Sequence, residues 1–132
     1  MTEQTMRSPA DYQREAHTFA GYGENPTYPF AGLAEEAGEV LGKFAKYIRK
    51  HGGAVPIANP SLPPSGYPRL TLTEADVAFR EDLKKELGDV CWMVAECATI
   101  YGLDLGEIMA ANLAKLEDRK RRGVIIGEGD NR

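Results

Sequence analysis

Two short stretches of this sequence repeat one arrangement of acidic residues. The first runs Leu-Ala-Glu-Glu-Ala-Gly-Glu-Val over residues 33–40, and the second runs Leu-Lys-Lys-Glu-Leu-Gly-Asp-Val over residues 83–90. At about 100° per residue, acids three positions apart lie on the same side of a helix. If both stretches are helical and pack together, four carboxylates meet at the seam. These acids are Glu36, Glu39, Glu86 and Asp89.

Carboxylates gathered at such a seam repel one another, and more strongly once packing removes them from water. A cation must then neutralise them, and oxygen ligands without nearby histidines favour Mg²⁺, or Mn²⁺ as a substitute, over zinc. Glu35 adds a fifth acid, so the charge to be balanced is close to that of two divalent ions. The alternative is that these acids line solvated helix faces, as most charged helical residues do.

Glycine stands beside the second acid of each pair, at Gly38 and Gly88. A glycine in a helix interior costs about 1 kcal/mol relative to alanine. We therefore expect another backbone or a ligand to approach closely at these positions.

The acids must be positioned by helices, because apolar residues recur at helical spacing in four segments. Nothing between the segments alternates as strands do, so the sequence predicts an all-α, four-helix-bundle-like fold. On the fourth helix Ile108, Ala111 and Leu116 should face inward. Trp92 and Met93 on the third are expected in the core, with stacking on a base as the alternative. The segments lie between the start and stop signals Ser8 and Gly21, Pro29 and Gly52, Thr73 and Gly102, and Asp104 and Gly123.

We expect one domain over residues 1–132, because a chain of 132 residues leaves little room for a second. Residues 52–72 hold five prolines, which fix φ and remove backbone donors, so this segment is predicted to be a loop or lid, with disorder as the alternative. Residues 123–132 are predicted to form a C-terminal tail. Four amphipathic helices on so short a chain bury their stripes better in a homodimer or homotetramer.

Composition excludes several classes of protein. The apolar content of 42% and charged content of 27% are those of a globular protein, and no apolar run is long enough to cross a membrane. The N-terminus lacks a signal-peptide core, so a cytoplasmic location is predicted. A net charge of −4 argues against a dedicated nucleic-acid partner.

In its acidic motifs the sequence resembles the MazG-like, all-α nucleoside triphosphate pyrophosphohydrolases, whose signature is Glu-Glu-x-x-Glu followed on a later helix by Glu-x-x-Asp. The similarity continues through Asn-Leu-Ala-Lys-Leu-Glu-Asp-Arg at residues 112–119 and the Gly-Glu-Gly-Asp-Asn-Arg ending at residues 127–132, and it departs in the proline-rich segment. It implies Mg²⁺-dependent hydrolysis of a nucleoside triphosphate to the monophosphate and pyrophosphate, with water attacking the α-phosphorus. The implied role is nucleotide pool cleansing or dNTP turnover.

The resemblance also implies roles for individual residues. The implied metal ligands are Glu36, Glu39, Glu86 and Asp89. Glu35 and Glu36 are the candidate catalytic residues, and Glu35 would bind a second ion or orient and deprotonate the attacking water. The candidate substrate contacts are Asn112, Lys115, Arg119 and Lys43. Lys43 also follows Glu39 by four residues, the favourable spacing for an ion pair within one helix.

Two other classes of function stay open at this point. A carboxylate-bridged di-iron bundle also projects acids inward, but it requires Glu-x-x-His on two helices, and the sequence has no such pair. A non-enzymatic adaptor or nucleic-acid-binding bundle would use the basic stretch from Lys115 to Arg122. That reading leaves the five clustered acids without an explanation.

Overall fold

A computed structural model of the chain describes residues 8–52 and 74–126. These residues form four helices and no strand, which confirms the predicted all-α fold. The helices are α1 (Pro9–His17), α2 (Tyr28–His51), α3 (Glu74–Ile100) and α4 (Leu105–Arg121). The proline-rich segment from residue 53 onward and the tail from residue 127 onward lie outside the described residues. None of the described helices has the length and apolarity that crossing a membrane requires.

Most helix ends follow the sequence signals. The Ser8 hydroxyl accepts a hydrogen bond from the Asp11 backbone N–H at 3.1 Å, and the Asp104 side chain accepts one from the Glu107 N–H at 2.9 Å. Each cap satisfies a donor that a helix N-terminus leaves free. Gly102 ends α3 with a φ of 64°, a conformation that favours glycine. Helix α1 is shorter than its apolar pattern indicated. It ends at His17 and does not continue toward Gly21.

The described chain forms two compact units. The hairpin unit, residues 27–52 and 74–93, contains α2 and most of α3. The terminal unit, residues 8–26 and 94–126, contains α1, the end of α3 and α4. The prediction of one domain over residues 1–132 stays a prediction.

Aromatic and tight apolar contacts join the two helices of the hairpin unit. The Phe79 ring on α3 packs edge-on against Phe44, with ring centroids 5.1 Å apart, and against Tyr47 at 5.2 Å. Such pairs contribute about 0.5–1.5 kcal/mol each beyond area burial. Gly32 is buried against Met93, which is only 4% exposed. The predicted core position of Met93 is thereby confirmed.

A glutamine holds the terminal unit together. The Gln13 side-chain amide on α1 donates to Thr99 Oγ1 at 3.1 Å and to the Leu103 carbonyl at 2.8 Å. Its Oε1 accepts from the Leu105 N–H at 2.8 Å. One side chain therefore satisfies backbone groups of the turn that joins α3 to α4, where helix ends leave donors and acceptors free.

The prediction that three apolar residues of α4 face inward is wrong for the single chain. Ile108 and Leu116 are 37% and 38% exposed, and Ala111 is exposed as well. Met109 and Leu113, at 50% and 63%, extend the uncovered apolar surface. Helical periodicity identified an apolar side of α4 but not whether this chain covers it.

Candidate metal centre

Helices α2 and α3 bring three of the predicted ligands together. Glu36 on α2 and Glu86 and Asp89 on α3 each offer one carboxylate oxygen, and these oxygens all lie within 4.8 Å of one another. We call this group the acid triad. The two helices converge here because the packing of Phe79 and Met93 on α2 sets the register of α3 on either side of the triad. Glu39 and Glu35 are exposed and lie outside the triad.

The charges of the four other acids act on Glu36. Its pKa is raised, first by desolvation and then by Asp89, Glu39, Glu35 and Glu86. Burial and neighbouring negative charges both disfavour an ionised carboxylate. The raised pKa of Glu36 therefore reflects all four neighbouring acids, although only Glu36, Glu86 and Asp89 bring oxygens close together.

A lysine already neutralises one member of the triad. Lys43 Nζ on α2 lies 3.0 Å from Glu86 Oε1 on α3, with the side chains 25% and 12% exposed. The hydrogen bond with Glu86 raises the pKa of Lys43, so the ammonium stays charged at neutral pH. The expected pair of Lys43 with Glu39 is not the one formed, because the lysine reaches across to the facing helix.

The donor set of the triad fits a small, hard cation. Three carboxylates and one ammonium leave two uncompensated negative charges, which one divalent ion balances. Oxygens bound to one Mg²⁺ at about 2.1 Å lie at most about 4.2 Å apart, so small side-chain rotations would complete the site. The triad contains no histidine or cysteine, so it does not match zinc or the histidine-containing di-iron pattern.

No other part of the described chain packs closely against the two glycines beside the acids, and the expected approach of a ligand stays a prediction. A Cβ placed on Gly38 or Gly88 would meet nothing within 4 Å among the described residues. Close packing occurs instead at Gly32, where a Cβ would lie 2.6 Å from Met93 Sδ. Sequence position alone could not separate these cases, because every helical glycine has the same propensity cost.

The candidate substrate contacts on α4 differ in exposure. Asn112 and Lys115 are exposed, whereas Arg119 is buried with 5% of its surface accessible. Arg122 Nε, further along, lies 2.7 Å from Asp118 Oδ2, and this contact is the main cause of the lowered pKa of Asp118. A stretch in which arginines pair with a neighbouring acid offers less free positive charge to nucleic acid. The substrate roles of Asn112, Lys115 and Arg119 stay predictions.

Sequence reasoning missed one buried carboxylate in the terminal unit. Glu96 is fully buried, and its Oε2 accepts from the Tyr22 hydroxyl at 2.7 Å and lies 3.0 Å from His17 Nδ1. Desolvation, followed by the hydrogen bond to Glu96, raises the pKa of Tyr22 to about 12. The available signal was an acid within the apolar pattern of α3, seven residues after Asp89 and on the same side of the helix.

Comparison with known proteins identifies the family of this chain. The profile of the MazG nucleotide pyrophosphohydrolase domain matches residues 25–124, which include both acidic motifs. The "Gene 37 protein" of Mycobacterium phage L5 is 38% identical over 109 residues, covering 83% of this chain and 78% of the phage protein. No solved structure matches. The family resemblance noted in the sequence is confirmed.

Proposed function

Because this chain belongs to the MazG nucleotide pyrophosphohydrolase domain family, we propose that it hydrolyses a nucleoside triphosphate to the monophosphate and pyrophosphate in a Mg²⁺-dependent reaction, with Mn²⁺ as a substitute. The observation that carries this proposal is the acid triad, whose three oxygens lie within 4.8 Å of one another. No other ligand chemistry suits such a set as well as a hard divalent cation.

In this proposal Glu36, Glu86 and Asp89 hold the first ion. Glu39 lies one helical turn from Glu36, on the same side of α2, and joins the ligand set when its exposed side chain turns inward. A bound divalent ion neutralises phosphate charge and aligns the phosphate chain for in-line attack.

Side chains of the protein would accept the proton of the attacking water and bind the phosphates. Glu35 is exposed next to Glu36, where its carboxylate can accept a proton from the water that attacks the α-phosphorus, or bind a second ion. Lys43 supplies positive charge for the phosphates, and the family resemblance implies the same role for Lys115 and Arg119. Asn112, one helical turn before Lys115 on α4, would hydrogen-bond phosphate or sugar.

We also propose that the protein acts as a homodimer or homotetramer. Large apolar side chains are left uncovered in both units, including Leu41 at 70% exposure and Leu113 at 63%. Large apolar side chains exposed in this way favour an interaction site, and a second copy is the partner available to every chain.

The activity is tested by incubating the purified protein with a panel of ordinary and modified nucleoside triphosphates in Mg²⁺ or in EDTA. Monophosphate and pyrophosphate should form only with the metal, and the preferred substrate will separate pool cleansing from turnover of an ordinary dNTP. Release of inorganic phosphate would move the point of attack away from the α-phosphorus.

The site is tested with Glu36→Gln and Asp89→Asn, each of which should lose most activity while remaining folded. Glu117→Gln is the matched control, because it removes an exposed helical carboxylate outside the triad. Full turnover in both triad variants would remove the proposed metal centre.

A further inference from the structure

The Lys43–Glu86 pair is the feature of this site that the proposed function does not yet use. Lys43 lies seven residues after Glu36, so both point to the same side of α2. Its ammonium nevertheless contacts α3, on a carboxylate of the acid triad. A cation therefore already occupies one flank of the site that is expected to receive a metal ion.

Such a pair must either stay or give way when a divalent ion arrives. A monovalent ammonium at 3.0 Å from Glu86 Oε1 repels an incoming cation and competes for the same oxygen. The pair is also weak enough to exchange. The lysine is 25% exposed, and partly solvated ion pairs contribute little net free energy. The flexible four-carbon stem lets the ammonium move while its backbone stays fixed on α2.

Phosphate is the natural destination of the released ammonium. Once metal ions hold the carboxylates, the nearest strong acceptors are the oxygens of the substrate that the ions bring to the site. We propose that Lys43 is an exchangeable counter-ion of the acid triad, which neutralises Glu86 in the metal-free protein and transfers to the phosphate chain of the nucleoside triphosphate when metal and substrate bind. This inference rests on the proposed function and adds a second task for Lys43 at the same site.

Metal binding without substrate tests the first half. Mn²⁺ titrations are monitored through the EPR signal of the free ion. Lys43→Met should bind Mn²⁺ about fivefold more tightly than the natural protein, which is the change expected when a competing ion pair of this kind is removed. Lys85→Met is the control. It removes an ammonium that lies 3.6 Å from Asp82 on α3 and is not paired with the triad. It should change Mn²⁺ affinity much less, and Lys43→Arg should restore the weaker binding.

Binding of an uncleavable substrate tests the second half. In α,β-methylene-dATP and α,β-methylene-dUTP a methylene group replaces the oxygen between the α- and β-phosphorus, so these analogues cannot be hydrolysed there. Their binding is measured at saturating Mn²⁺. Lys43→Met should bind the preferred analogue about tenfold more weakly, the size of a lost charge-assisted hydrogen bond. Thermal unfolding of each variant establishes that it is folded.

Tighter Mn²⁺ binding together with weaker analogue binding is the expected result for Lys43→Met, because a purely structural pair would not move the two affinities in opposite directions. Unchanged Mn²⁺ affinity, or an unchanged analogue affinity, overturns the counter-ion proposal while leaving the metal centre intact. If the natural protein binds no Mn²⁺ and hydrolyses no triphosphate, the proposed function itself fails, and the two failures are thereby distinguished.

Discussion

Replacing Glu36 by glutamine should make the metal-free protein more stable and the enzyme inactive. The substitution keeps the shape of the side chain and removes one charge from the acid triad. The raised pKa of Glu36 shows that its ionised form is disfavoured by burial and by neighbouring acids. Removing a disfavoured charge relieves the folded state and leaves the unfolded chain almost unaffected.

The size of the effect follows from the spacing of the triad. Two charges at 4.8 Å, the limit within which the triad oxygens lie, repel by about 0.9 kcal/mol at the dielectric constant of water, and by more where water is partly excluded. Lys43 neutralises Glu86, which leaves Asp89 as the main uncompensated neighbour. We therefore expect a gain of about 1–2 kcal/mol in the free energy of unfolding, or an increase of about 3–8 °C in Tm.

Magnesium should reverse this order. An ion that binds only the folded state at a hundred times its Kd stabilises the natural protein by about 2.7 kcal/mol, and Glu36→Gln loses most of that gain. Glu36→Gln should thus unfold at higher urea concentration than the natural protein in EDTA and at lower concentration in Mg²⁺. The gain in EDTA should shrink in 1 M salt, since salt screens charge repulsion.

The assay is urea unfolding monitored by circular dichroism. Glu117→Gln is the control, because that exposed acid on α4 lies outside the triad. The control should change little in either buffer. If Glu36→Gln is as stable as the natural protein in EDTA, or less stable, the three carboxylates do not repel one another as their spacing requires, and a cation is not needed to neutralise them.

Three further predictions concern the rest of the chain. Absorbance titration should show one tyrosine ionising near pH 12, since the pKa of Tyr22 is raised to about 12 from 10.0; Tyr22→Phe should abolish that step. The stability contributed by this shift is complete below pH 10.0 and is lost as the pH rises toward 12, because the folded state then retains a proton that the unfolded state has released. Gly32→Ala should destabilise by up to about 2 kcal/mol in chemical unfolding, because an overpacking cost of about 1–3 kcal/mol at Met93 exceeds a helix-propensity gain of about 1 kcal/mol. In a Met93→Ala background the same change should stabilise, and equal effects in both backgrounds would contradict the contact. Leu113→Glu should shift the protein toward monomer in light-scattering chromatography, because it places a charge on the uncovered side of α4; an unchanged mass would exclude that side from the interface.

Much of the fold was determined by local sequence. Helical periodicity, capping residues and stop glycines act over a few residues, so the four helices could be predicted, with α1 ending earlier than its pattern suggested. The acidic repeat also fixed which side of each helix carries acids, because that depends only on rotation per residue. The acidic repeat and the motif at residues 112–119 were enough to identify the family that the comparison confirmed.

Tertiary structure decided which of these residues meet. The sequence predicted four carboxylates at the seam, yet only Glu36, Glu86 and Asp89 bring oxygens within 4.8 Å of one another. This depends on the register between α2 and α3. The same register gave Lys43 a partner on α3 in place of Glu39. Rotation along one helix is encoded locally, whereas the axial offset between two helices is set by packing contacts such as Gly32 with Met93, between residues far apart in the chain.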